Sequence, residues 1–170
     1  MSAPAVDLEV FARVQLDYEI TTMVAQVELL LGFAPLFPIP IYLALVEAPL
    51  VHLRVLDDFF GSRVPFKDDV IAKHYLDTWD GWHFLDDDPG DVDLRSAINA
   101  QLQHPAARRE TGYKWNFPRM LTLCQVAVSQ FVAELGGSDF SHRASWFARA
   151  DDALTGFVER FGDLEVSHGS

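Results

Sequence analysis

The sequence has a single cysteine, Cys124, and none of the common catalytic or nucleotide-binding motifs. One thiol cannot form an internal disulfide, and it excludes a zinc site built on two or more cysteines. Because Cys124 lies in an apolar stretch, we expect its side chain to be buried. P-loop, dinucleotide-binding and Gly-x-Ser-x-Gly motifs are all missing, so those nucleotide-binding and hydrolase classes have no support.

Basic residues are also scarce: 13 Lys and Arg stand against 25 Asp and Glu, which gives a formal net charge of −12. A field of this sign repels a phosphate backbone, so a nucleic-acid role requires a local basic patch. A basic partner is one alternative. Another is that the acidic surface only keeps the protein soluble.

Targeting and membrane-spanning signals are missing as well. Residues 1–7 have neither the basic start nor the apolar run of a signal peptide. The most apolar stretch, residues 33–56, is interrupted by four prolines and carries charges, so we expect no membrane span. We therefore predict a cytoplasmic protein with no membrane partner.

What the sequence does contain is apolar spacing typical of helices, with no convincing alternation at period two. We predict one all-α domain over residues 1–170, with an ordered core at about 7–162 and short loose tails. It should be a bundle of five or six helices, mostly antiparallel. The predicted helices are 7–31, 41–60, 68 or 69 to 79, 91 or 93 to 104, 116 or 118 to 135, and 141–161.

Two features organise the first half of the predicted bundle. Asp7 should cap the first helix and Gly32 should end it in a left-handed conformation. Residues 33–40 are rich in proline and apolar, which indicates a fixed crossover lying on the core. The second helix is apolar nearly all round, so we expect it to be central, with a kink at Pro49.

The first candidate site lies on that second helix, at His52, Arg54 and Asp57. Arg54 can pair along the helix with Asp57 or Asp58. Charges on a central helix must be paired or face a cleft, so a functional cluster is one interpretation. The alternative is a core histidine that makes one hydrogen bond.

The second candidate site is Arg95, Asn99 and His104. Arg95 and Asn99 share one face of a helix, and His104 stands before the break at Pro105. Such a set could present polar groups to a phosphodiester. The alternative is that His104 caps the helix, where its charge is favoured.

The third candidate is a basic, aromatic stretch near the middle of the chain. Its cations could bind phosphates while an aromatic ring stacks on a base. Alternatively, the arginines pair with the acidic loop at residues 86–88 and the rings belong to the core. The candidate binding residues are Arg108, Arg109, Tyr113, Lys114, Trp115 and Arg119.

We predict no metal and no cofactor. No two histidines have the helical i, i+4 spacing of a metalloprotease motif, and Glu165-x-x-His168 falls at the loose C-terminal end. A metal- or small-molecule-binding bundle with His52 at its centre stays open as a third reading of the function.

The ordered pattern His52-x-Arg54-x-x-Asp57, Asp68-Asp69, Asn99 and His104 resembles a group of small bacterial all-helical proteins. These are distantly similar to the HEPN superfamily of helical bundles, many of which are metal-independent ribonucleases in toxin and defence systems. The resemblance covers residues 41–110. Asn99 occupies the place of the family's arginine, so the nuclease motif is not intact.

The resemblance implies RNA binding, and it leaves open both cleavage of that RNA and an inactive RNA-binding module. His104 would be the acid/base, and Asn99, Arg95 or Arg54 would orient the phosphate. It also implies a homodimer, in which two sites meet at the interface. The alternative is a non-enzymatic adaptor whose apolar crossover, Phe33 to Ile41, docks a protein partner.

Overall fold

The computed structural model describes residues 6–61, 69–87, 93–103 and 115–164. Within these ranges there is no β-strand, and the predicted all-α bundle is confirmed. The α-helices are α1 (Leu8–Val10), α2 (Asp17–Phe33), α3 (Ile39–Gly61), α4 (Leu94–Gln103), α5 (Phe117–Gly136) and α6 (Ala148–Phe161). A π-helical turn (Phe11–Leu16) joins α1 to α2, and 3₁₀ turns span Ala34–Leu36, Ala72–His74, Phe84–Asp87 and Ser141–Trp146.

Side-chain caps begin the helices where the sequence predicts them. Asp7 Oδ1 accepts the backbone N–H groups of Glu9 and Val10 at 3.0 and 3.2 Å. Asn116 caps α5 in the same way, and Asp93 caps α4. The first N–H groups of a helix have no partner within it, so a short acceptor side chain at this position stabilises the start.

The core is an aromatic cluster centred on Phe131 of α5, which has no exposed surface. Its ring packs edge-on at centroid distances of 5.1–6.5 Å against five others, which come from α3, the 72–79 segment and the start of α6. Those rings are Phe59, Phe60, Tyr75, Trp79 and Phe147. Cys124, also on α5, is fully buried as predicted.

Two predictions are wrong: the end of the first helix at Gly32 and the position of the crossover on the core. α2 continues through Gly32 to Phe33, and Gly81 is the only glycine with positive φ in the described part of the chain. The crossover does not lie on the core, because Leu36 and Ile39 are 76% and 75% exposed. A 3₁₀ turn and its prolines instead carry the chain away from the bundle into α3.

The predicted third helix, up to Trp79, is also wrong. Residues 69–79 contain only the short Ala72–His74 turn, although Tyr75 and Trp79 are buried. Arg143 donates to the Tyr75 carbonyl at 2.8 Å, and Trp79 Nε1 donates to the Phe60 carbonyl at 2.7 Å. A tertiary contact therefore satisfies the Tyr75 carbonyl, which has no helical ladder around it.

The second helix is not buried all round. Leu50, Leu53 and Leu56 of α3 have no exposed surface, whereas Val51 and Val55 are 46% and 43% exposed. α3 therefore has one buried face and one open apolar face. The kink at Pro49, which lies inside α3, stays a prediction.

Candidate functional site

A polar cluster joins the C-terminal end of α3 to the segment before the Phe84–Asp87 turn and to α4. Its members are Asp57, Asp58, His83 and Arg95. Asp57 is 1% exposed; its Oδ1 accepts the Leu85 N–H at 3.0 Å and its Oδ2 lies 2.9 Å from His83 Nδ1. The buried carboxylate thus fixes both the turn and the imidazole.

Gly61, the last residue of α3, makes room for His83. A Cβ at Gly61 would lie 2.0 Å from His83 Nδ1, which is far inside van der Waals contact. The ring can therefore lie against the end of α3 only because residue 61 has no side chain.

Arg95 binds the other three members of the cluster at once. Its Nη2 donates to Asp58 Oδ1 at 2.5 Å, its Nη1 lies 2.7 Å from His83 Nδ1, and its Nε lies 3.6 Å from Asp57 Oδ2. A single ring nitrogen either donates to the carboxylate or accepts from the guanidinium. The two contacts of His83 Nδ1 therefore belong to different tautomers of the imidazole.

Burial is the largest influence on the pKa of Asp57. Removal from water raises the pKa of its carboxyl group, while the Leu85 N–H, His83 and Arg95 act in the opposite direction and do not cancel the effect. The cluster therefore contains a carboxyl group that binds its proton more readily than an exposed aspartate does.

Two kinds of chemistry fit this arrangement. A buried carboxylate on one nitrogen of an imidazole is a common way to orient a histidine for proton transfer. Asp57, Asp58 and His83 also offer ligand atoms within 4.8 Å of one another, which suits a divalent cation. The Arg95 guanidinium already contacts all three of these groups, so a metal ion would have to displace it.

The first predicted site is only partly assembled. Arg54 pairs with Asp58 at 3.9 Å, as one prediction had it, but Asp57 pairs with His83 and Arg95 rather than with Arg54. His52 is 9% exposed and its Nδ1 lies 2.5 Å from Glu19 Oε2 of α2. This matches the alternative of a core histidine that makes one hydrogen bond.

The second and third predicted sites fall largely on residues that the structure does not describe. Arg95 joins the polar cluster, and Asn99, one turn further along α4, has a buried Oδ1 without a hydrogen-bond partner in the described ranges. Trp115 is half-buried and Arg119 is exposed. The candidates outside the described residues are His104, Arg108, Arg109, Tyr113 and Lys114.

His83 is the member of the cluster that sequence reasoning missed as a site residue. It stands in an acidic segment without helical spacing to any other candidate, so only the fold brings it to Asp57. The one available signal was Gly61, whose missing side chain admits the ring.

The second notable feature is the hairpin formed by α2 and α3. Residues 29–46 contain no charged side chain. The tip of the hairpin is residues 31–44, and none of them is buried. Phe33 and Ile41, for example, are 51% and 50% exposed. An apolar projection of this kind is unusual on the surface of a monomeric protein.

The open surface continues from the tip along both helices. The Tyr18 ring lies edge-on to His52, at 6.2 Å between centroids, so the exposed side of α2 borders the exposed side of α3. We call this surface, together with the tip, the hairpin face. Along the helices its exposed members are Val14, Tyr18, Ala25, Leu29, Ala44, Val51 and Val55.

The same two helical stretches are long and apolar enough to cross a membrane by length and composition. They are Leu8–Leu36 and Ile39–Gly61, with mean hydropathies of 1.2 and 1.6. Core helices of soluble proteins meet the same criterion, so this observation does not decide between a membrane and a protein environment.

The chain matches no family model, no curated protein and no solved structure.

Proposed function

We propose that this protein is a non-enzymatic helical interaction protein whose working surface is the hairpin face. The observation that carries the proposal is the tip, where Leu36 and Ile39 are three-quarters exposed and no charge occurs from residue 29 to residue 46. Covering apolar surface stabilises an assembly by about 25 cal/mol per Å². The tip therefore gains most when a partner removes it from water.

The backbone of the tip supports the same function. Ala34 donates its N–H to the Leu30 carbonyl, and both Ile41 and Tyr42 donate to the Pro38 carbonyl. The three prolines at positions 35, 38 and 40 have no N–H at all. Because these donors are satisfied within the turn, an apolar surface can cover them without leaving them unpaired.

A photo-crosslinking amino acid at Leu36 tests this proposal in the cell that makes the protein. We expect one discrete adduct, because a specific partner covers the tip in a fixed geometry. The matched control is the same amino acid at Ala133, which is exposed on α5 outside the hairpin face. No adduct at Leu36, or equal adducts at both positions, would refute the proposal.

A second proposal is the RNA binding and cleavage that the HEPN-like resemblance suggests. The observation in its favour is the contact between Arg95 and His83, which places a phosphate-binding group beside a proton-transferring one. It ranks second because Asp58 occupies the guanidinium, and a phosphate would have to compete with that carboxylate.

Cleavage of total RNA in the presence of a metal chelator tests the second proposal. We expect His83→Ala to lower the rate by about 100-fold or more, as for loss of a general acid/base. His142→Ala, a change of an exposed histidine, should leave the rate unaltered. Loss of activity in His104→Ala alone would assign proton transfer to His104 instead, and absence of cleavage by the unmodified protein would end the proposal.

A further inference from the structure

We infer that the hairpin face is covered by a second copy of this chain, packed in an antiparallel arrangement about a two-fold axis. This inference rests on the proposed interaction function and names its partner. Two hairpins packed face to face form a four-helix bundle, in which α2 lies on α2 of the copy and α3 on α3.

The charges around the face favour a copy over a lipid surface. Residues 14–53 contain no lysine or arginine, whereas helices that bind membrane surfaces use such residues to contact lipid headgroups. Anionic headgroups would also be repelled by a chain of formal net charge −12.

The acidic residues at the rim of this segment do not prevent self-association, because Asp17, Glu19 and Glu28 each have a cationic or imidazole partner within the chain. Asp17 lies 3.4 Å from Arg149, Glu19 lies 2.5 Å from His52, and Glu28 pairs with Arg160. The two copies would therefore meet on uncharged surface with a compensated rim.

The antiparallel arrangement accounts for a second set of exposed apolar residues. At the open end of the hairpin, away from the tip, Val10, Val14 and Val55 are 54%, 54% and 43% exposed. In an antiparallel dimer the tip of each copy packs against these valines of the other copy. In a parallel copy the two tips would instead meet each other, and a cysteine at the tip would form the cross-link.

The size of the patch fits a stable dimer. Eight large apolar side chains between positions 29 and 43 are each 37–76% exposed. An interface of standard size buries roughly 800 Å² per partner, and these eight side chains supply its apolar part.

Cysteine cross-linking tests both the partner and its direction. Ala25 lies midway along the hairpin, so in an antiparallel dimer it faces its own copy. We expect Ala25→Cys to form a disulfide-linked dimer under mild oxidation. Leu36→Cys is the matched control, because α3 is roughly 35 Å long and antiparallel tips lie that far apart. The native Cys124 is fully buried and does not interfere.

Sedimentation measures the association without oxidation. We expect twice the chain mass of 19.1 kDa at micromolar concentration, and the mass of one chain for Val51→Glu. Val126→Glu is the control, since Val126 is 45% exposed on α5, against 46% for Val51 on α3. Both changes are at exposed positions, so neither should prevent folding.

The possible results separate this inference from the proposed function. A single-chain mass for the unmodified protein, or equal behaviour of the two glutamate variants, overturns the second-copy inference. Dominant cross-linking through Leu36→Cys overturns the antiparallel arrangement. If the protein sediments as a single chain but the photo-crosslinker at Leu36 captures a different protein or a lipid, the interaction function survives with another partner. No adduct at all removes both.

Discussion

Replacing Asp57 by Ala should lower the free energy of unfolding by about 2–4 kcal/mol. The change removes the acceptor of the buried Leu85 N–H and one carboxylate partner each of His83 and Arg95. These groups stay in place without an equivalent partner, and an unpaired buried donor costs more than the hydrogen bond itself contributes. The loss should also loosen the packing of α3 against α4 and the Phe84–Asp87 turn.

Urea unfolding followed by far-UV circular dichroism measures the effect. Asp58→Ala is the matched control, because its carboxylate is 43% exposed and binds the same guanidinium. A surface ion pair of this kind contributes at most about 1 kcal/mol. Equal losses for Asp57→Ala and Asp58→Ala would show that burial of the Asp57 carboxylate has no structural role.

The pKa of Asp57 gives the same prediction a pH signature. Burial raises this pKa above the unfolded value of 3.8, so the native state binds the proton more tightly than the unfolded chain does. The stabilisation of the folded state by the protonated Asp57 carboxyl group is complete below pH 3.8. It is lost as the pH rises through the folded-state pKa of this group. Relative to Asp57→Asn, the unmodified protein should therefore be more stable at pH 4 than at pH 7. The opposite trend would contradict the assigned direction.

Gly61→Ala should destabilise the protein by about 1–3 kcal/mol, as other forced insertions into packed sites do. The new Cβ would overlap the His83 ring, so the imidazole must leave its place beside Asp57. Trp82, which donates its N–H to the Phe60 carbonyl at 3.1 Å, would move with the same segment. A changed chemical shift of His83 and a lower urea midpoint are the expected readouts.

Gly156→Ala on α6 is the control, and it should raise the stability rather than lower it. Nothing lies within 4 Å of a Cβ built at this helical position. Alanine should stabilise the helix there by about 0.5–1 kcal/mol, because glycine loses more backbone entropy on folding. If both glycine variants were stabilised, the close approach of His83 to Gly61 would be wrong.

These two predictions also concern the hairpin face, because the polar cluster stands at its open end. Val51, Val55 and Asp58 follow one another at helical spacing along the exposed side of α3, and Arg54 pairs with Asp58 there. The buried half of the cluster anchors this end of α3. A variant that loosens the anchor should therefore lower the stability and also weaken the self-association that we infer.

The amino-acid sequence by itself determined the local structure of this protein. Helices are capped by Asp7, Asn116 and Asp93. Each short side chain accepts a hydrogen bond from a backbone N–H two or three residues further along, which is a local interaction. α5 begins at Asn116-Phe-Pro and ends at its glycine pair as predicted, for equally local reasons. Burial of Phe131 and Cys124 follows from the helical spacing of apolar residues.

Only the tertiary structure decided which apolar surfaces are covered. α3 is apolar on both sides, so its composition could not show that Leu50 is buried and Val51 exposed. Likewise, residues 69–79 contain only a short 3₁₀ turn, although the apolar spacing there predicts a regular helix, and the Tyr75 carbonyl accepts from Arg143 instead. His83 reaches Asp57 across 26 positions of sequence. Helical spacing is a local property, whereas burial and side-chain clusters depend on which elements pack together.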